Sequence, residues 1–63
     1  MVFKYKIPEQ SSQEDINYRL EKEKSNILEE HTFLSFIGSS CIYEAEDELN
    51  QVKTLMLTFD DPD

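Results

Sequence analysis

Few residues in this chain are equipped for covalent or metal chemistry. It has one cysteine, Cys41, one histidine, His31, and a pair of serines, Ser39 and Ser40, beside its single glycine. A serine nucleophile needs an activating base within hydrogen-bond reach, and His31 is the sole candidate. The segment between them reads as a strand that points the two away from each other, so Ser39 and Ser40 read as turn residues. Cys41 has no basic neighbour to lower its pKa and falls at a core-facing strand position, where a thiol behaves as a small buried hydrophobe. One Cys with one His cannot build a structural zinc site, and no Gly-rich phosphate loop is present. The chain therefore reads as a non-catalytic protein with no cofactor and no dedicated metal site.

The carboxylates are more informative. Fourteen Asp and Glu stand against six Lys and Arg in 63 residues, a formal net charge of −8. That balance argues against a protein that binds nucleic acid directly by neutralising phosphates. Glu44, Glu46, Asp47, Glu48, Asp60, Asp61 and Asp63 crowd the C-terminal third beside one base, Lys53. These are hard oxygen ligands, but the Asp-x-Asp-x-Asp-Gly spacing of a calcium loop is missing. If the last two strands pair, Glu44, Glu46 and Glu48 line one strand face every 6.6–6.8 Å or so, twice the rise per residue. Phosphates along a nucleic-acid strand repeat on the same general scale. Glu44, Glu46, Asp47, Glu48, Asp60 and Asp61 are thus the expected partner-binding surface. They would dock on a basic, nucleic-acid-binding site of another protein, as a phage- or plasmid-encoded inhibitor would. The competing reading gives the same acids edge protection and solubility as their only task. The chain is then a small structural or regulatory subunit, or a homo-oligomer, that works through apolar contacts.

The elements that must position these groups follow from periodicity. Phe3, Tyr5 and Ile7 alternate with Val2, Lys4 and Lys6 and end at Pro8, which predicts a half-buried strand. Ser11 with Glu14, or Ser12 with Asp15, makes a capping box for a helix over about residues 12–30. Its apolar stripe is Ile16, Leu20, Ile27 and Leu28, with Lys24 laying its stem along apolar surface. Arg19, Glu21, Lys22, Glu29 and Glu30 fall on its outer face, and His31 caps its C-terminus. From Thr32 to Ala45 the pattern is β-branched and aromatic, broken at Gly38-Ser39. A two-residue type II′ hairpin turn fits there; a single strand bulged at Gly38 is the alternative. After an acidic turn, Val52–Phe59 forms a last strand with Leu55, Leu57 and Phe59 on its inner face.

The expected fold is α+β, a β-α-β-β-β chain forming one small antiparallel or mixed sheet, or β-α-β-β if the middle strand is bulged, with one helix on one face. A single domain over 1–59 and a frayed acidic tail over 60–63 are expected. The expected core is Phe3, Tyr5, Ile7, Ile16, Leu20, Ile27, Leu34, Phe36, Tyr43, Leu55, Leu57 and Phe59. One helix covers one sheet face, which leaves Val2, Phe33, Ile37, Ile42, Val52 and Met56 among polar residues on the other. That mixture suits an interface, and a chain this small gains stability by burying it against a copy of itself. A homodimer through this face or through a free strand edge is therefore expected. No apolar run reaches the length of a signal-peptide core or a membrane span, so a cytoplasmic location is expected. The initiating Met suggests a complete small reading frame. The Lys-, Glu-, Ile- and Asn-rich usage suggests a low-GC bacterium or its phage.

Overall fold

The structure, a computed structural model, describes residues 1–62. Strand β1 (Val2–Lys6) is followed by helix α1 (Gln13–Glu30), strand β2 (Ser35–Ala45) and strand β3 (Gln51–Asp60). The sheet is antiparallel throughout, in the order β1-β3-β2, with α1 packed on one face. This is the small α+β fold expected, in its three-stranded form.

Helix α1 begins where its capping groups converge. Ser12 Oγ accepts a hydrogen bond from the Asp15 backbone N–H, and Asp15 returns one by accepting from the Ser12 N–H. Ser11 is not the cap, because its hydroxyl and its N–H both donate to the Pro8 carbonyl and close the turn after β1. Asp15 and Glu14 occupy the first turn, where the helix dipole favours negative charge. At the other end His31 donates its backbone N–H to the Ile27 carbonyl, and its ring sits between those of Phe3 and Phe33.

The expected hairpin at Gly38-Ser39 does not form. Phe36 pairs with Phe59 and Gly38 with Thr58, so Ile37 is an extra residue in one continuous strand. That is a β-bulge, the second of the two sequence readings. A type II′ turn needs φ > 0 at its glycine, and Gly38 has none. The ten-residue β3 offers pairing partners along its whole length, which a strand broken at residue 38 would leave unused.

The core lies between α1 and the inner face of β3. Leu55, Leu57 and Phe59 are fully buried there, with Ile7, Ile16, Ile27 and Leu34 around them and Phe3, Tyr5, Leu20, Leu28 and Phe36 at the margin. Phe59 meets Phe3 and Phe36 edge-on, the arrangement aromatic quadrupoles favour. Tyr43, expected in the core, is 53% exposed, and Cys41 is exposed as well. Both lie on the inner face, but on an edge strand beyond the reach of the single helix. Asp60, expected in a frayed tail, closes β3 opposite Ser35; Asp63 lies outside the described residues.

Two substitutions test this packing. Leu57→Ala leaves a cavity at a site with no solvent exposure and is expected to lower unfolding free energy by about 2–5 kcal/mol in urea titration. A Cβ on Gly38 meets no atom within 4 Å. Gly38→Ala is therefore expected to raise stability by about 0.4–1 kcal/mol through the unfolded chain; a loss would indicate a turn at that position.

Candidate protein interface

The register sorts the predicted interface residues. Val2, Lys4 and Lys6 of β1 stand opposite Thr58, Met56 and Thr54 of β3, which in turn face Gly38, Ser40 and Ile42 of β2. Val2, Ile42, Val52 and Met56 therefore share the face away from the helix. Phe33 and Ile37 do not join them. Phe33 precedes β2 and its ring packs edge-on against His31, while Ile37 occupies the bulge, 64% exposed.

The outer face is less open than a bare sheet. The Lys4 ammonium pairs with the Glu44 carboxylate, and Lys6 Nζ lies 3.1 Å from Glu46 Oε1. Both pairs run from β1 across β3 to the far strand and the turn beyond it. Long charged side chains of this kind can lay their stems along apolar surface. Lys4, Lys6, Glu44, Glu46, Val52 and Thr54 line the resulting pocket of about 350 Å³. Thr54 at its floor is only 4% exposed and donates its hydroxyl to the Val52 carbonyl, so it carries no unsatisfied group. Alternation with Leu55 puts Thr54 on the face away from the helix. It lies on the central strand, between Lys6 of β1 and Ile42 of β2.

The acids do not form one row. Strand β2 ends at Ala45, so Glu46, Asp47 and Glu48 belong to the turn into β3. Glu44 and Glu46 are held by lysines. Asp47 is the structural acid of that turn, accepting from the Leu49 and Asn50 backbone N–H groups at 2.8 and 2.9 Å and from Asn50 Nδ2 at 3.0 Å. Asp60 stands at the other end of β3, and ten residues at about 3.4 Å each put it roughly 30 Å away. Asp61 follows it. Glu48 is thus separated from the Asp60–Asp61 pair by the length of the sheet.

On the helix, Arg19 turns inward from the predicted outer face. Its guanidinium lies 5.7 Å from the Tyr5 ring centre and its Nε is 3.1 Å from Glu23 Oε1. Burial and the nearby Glu23 carboxylate push the Tyr5 hydroxyl above its ordinary pKa. Lys24 Nζ lies 5.0 Å from the Phe36 ring centre, its stem along the core margin as expected. Tyr43 donates its hydroxyl to Glu9 Oε1 at 2.9 Å, and that hydrogen bond, with the Glu9 charge, raises the Tyr43 pKa.

The two edges of the sheet differ sharply. Strand β1 is five residues long, carries Lys4 and Lys6, and is followed closely by Pro8. Short length, lysine and proline are the devices that stop a strand edge from recruiting another. Strand β2 is eleven residues long and has no charge from Ser35 to Tyr43. Among the described residues no strand pairs with its outer side. Ile37, Cys41 and Tyr43 are exposed along it, with Phe33 just before it. Hydrophobic patterning leaves the identity of the free edge open, because strand order decides which strands are edges. No group of three His, Cys, Asp or Glu is placed to hold a metal ion among the described residues, and no helix there is long and apolar enough to cross a membrane.

Asp47 has a pH signature. The Asn50 side chain, then the Leu49 and Asn50 N–H groups, hold its carboxyl below the usual range. A carboxyl with a depressed folded pKa stabilises above its unfolded pKa and loses that contribution as pH falls through the folded one. The turn is therefore expected to hold above about pH 4, near the ordinary Asp value, and to loosen below it. Protection of the Leu49 and Asn50 amides, taken relative to intrinsic exchange at each pH, should fall there, and Asp47→Ala should lack that protection at all pH values. Comparison with known proteins returns no matching family model, no matching characterised protein and no matching solved structure.

Proposed function

We propose that this chain is a non-catalytic protein-interaction module that binds by extending its sheet at the outer edge of β2. One observation carries the reading: an eleven-residue edge strand left unguarded in a sheet whose other edge is guarded by length, lysine and proline. An unpaired strand edge presents a row of N–H and C=O groups that a second strand can satisfy, and side chains beside it add selectivity. The exposed Ile37 and Tyr43 supply those side chains. The acidic charge serves solubility in this reading. Glu44 and Glu46 are engaged by Lys4 and Lys6, and Asp47 by its own turn. This favours the apolar-contact reading of the sequence over docking of an acidic row.

The test compares two variants of the immobilised protein. Ser39→Lys/Cys41→Lys puts cations on the exposed edge, where surface substitutions change stability by about 0.5 kcal/mol or less. Glu44→Gln/Glu46→Gln/Glu48→Gln removes the carboxylate row. The edge variant is expected to lose partners that the wild type retains at high salt, while the acid variant keeps them. Loss of those partners by the acid variant alone, or capture that weakens steeply with salt as screened charge pairs do, would overturn edge docking in favour of acidic docking.

A further inference from the structure

We infer that the pocket on the outer face of the sheet is a binding site for a small zwitterion, an α-amino acid with an apolar side chain. The inference is independent of strand addition at the β2 edge. The pocket has a volume of about 350 Å³, and Lys4, Lys6, Glu44, Glu46, Val52 and Thr54 line it. That volume lies in the range of small-molecule sites. The lining combines two cations and two carboxylates with an apolar residue, Val52. Thr54 commits its hydroxyl to the Val52 carbonyl, so the floor keeps its polar groups to itself.

The order of the charges carries the inference. Both ammonium groups come from β1 and both carboxylates from the far side of β3, so Lys4–Glu44 and Lys6–Glu46 point the same way. Lys4 and Lys6 are two residues apart on one strand face, which sets the pairs about 6.6–6.8 Å apart. Two parallel dipoles side by side repel, and a third dipole running the opposite way between them is attracted to both. An α-amino acid is such a dipole. One carbon joins its ammonium to its carboxylate, a separation on the scale of the 3.1 Å across Lys6–Glu46. Midway between the pairs its carboxylate faces both lysines and its ammonium faces both glutamates, each at roughly 3.3 Å, half the spacing of the pairs and inside ion-pair distance.

Charge selects against simpler ligands. An anion that reaches Lys4 and Lys6 also meets Glu44 and Glu46, and it approaches a chain of net charge −8. A cation drawn in by that charge meets two lysines at the site. A zwitterion has no net charge and satisfies both rows. Val52 then offers apolar surface to a side chain, which favours a larger amino acid over glycine.

The test is titration of the wild-type protein with L-leucine, followed by backbone amide chemical shifts. Those of Lys4, Lys6, Glu44, Val52 and Thr54 are expected to move together and saturate with a Kd of about 1–10 mM, the range a ligand of roughly nine non-hydrogen atoms reaches at modest efficiency. Glycine, 4-methylpentanoate and 3-methylbutylamine lack the side chain, the ammonium and the carboxylate in turn. Each is expected to bind at least about threefold more weakly, the size of one exposed charge pair or a small apolar contact. Lys6→Glu/Glu46→Lys keeps an ion pair, the net charge and the floor but reverses one dipole. It is expected to lose at least about threefold in leucine affinity while its urea unfolding midpoint stays near that of the wild type. Should the swap unfold the chain, Lys6→Gln/Glu46→Gln removes the same pair and is expected to show the same loss. Analogues that bind as tightly as leucine overturn the inference, as does a folded variant whose leucine affinity is unchanged. The absence of shifts at these amides up to the solubility limit of leucine overturns it too.

Discussion

The buried row Leu55, Leu57 and Phe59 on β3 is the contact on which the rest of the structure depends. It is the centre of the sheet, flanked on both sides by hydrogen-bonded strands, and it is the floor on which α1 rests. The chain termini close on the same strand. The Met1 ammonium donates to the Phe59 carbonyl and the Phe59 N–H donates to the Met1 carbonyl, both at 2.8 Å, while Ile7 extends the ladder to Lys53 at the other end. A sequence of this length buries only about 60% of its unfolded surface. Concentrating the burial on one central strand lets seven buried apolar residues act as a single core.

On the face away from the helix, Lys4–Glu44 and Lys6–Glu46 reach from β1 across β3 to β2 and the turn beyond it. Exposed ion pairs contribute about 0–1 kcal/mol each, so the pairs are poor as electrostatic glue. What they do is bridge β1 to β2 and its turn beside the pocket that Val52 and Thr54 line. An excess of acids in the sequence therefore has an internal use as well as a solubilising one, and net charge alone says little about which acids are available to a partner.

Much of this fold was legible because it is local. Period-two alternation in Phe3–Ile7 and Leu55–Phe59 identified two strands, and the Ser12–Asp15 capping box located the helix start. The structure departs from the local signals where neighbouring strands decide the outcome. Gly38-Ser39 looks like a hairpin turn until the length of β3 offers partners to both halves of β2. Tyr43 and Cys41 lie on the inner face as alternation requires, but alternation gives the face of a residue and not whether anything covers it. The lysine–glutamate pairs and the free β2 edge both depend on the strand order β1-β3-β2, which hydrophobic patterning does not encode.

Strand order also limits what an open edge does. A sheet with two unguarded edges adds strands at both and grows without end, the route to fibres. Here the last strand in the chain inserts between the first two, leaving a short, lysine-bearing β1 on one side and a long, neutral β2 on the other. A strand added at the β2 edge would leave β1, short and lysine-bearing, at the opposite end of the enlarged sheet. Lys4 and Lys6 then guard the assembly as they guard the single chain. The asymmetry between the edges thus confines strand addition to the β2 side, and it does so with lysines that also bridge to Glu44 and Glu46 across the outer face.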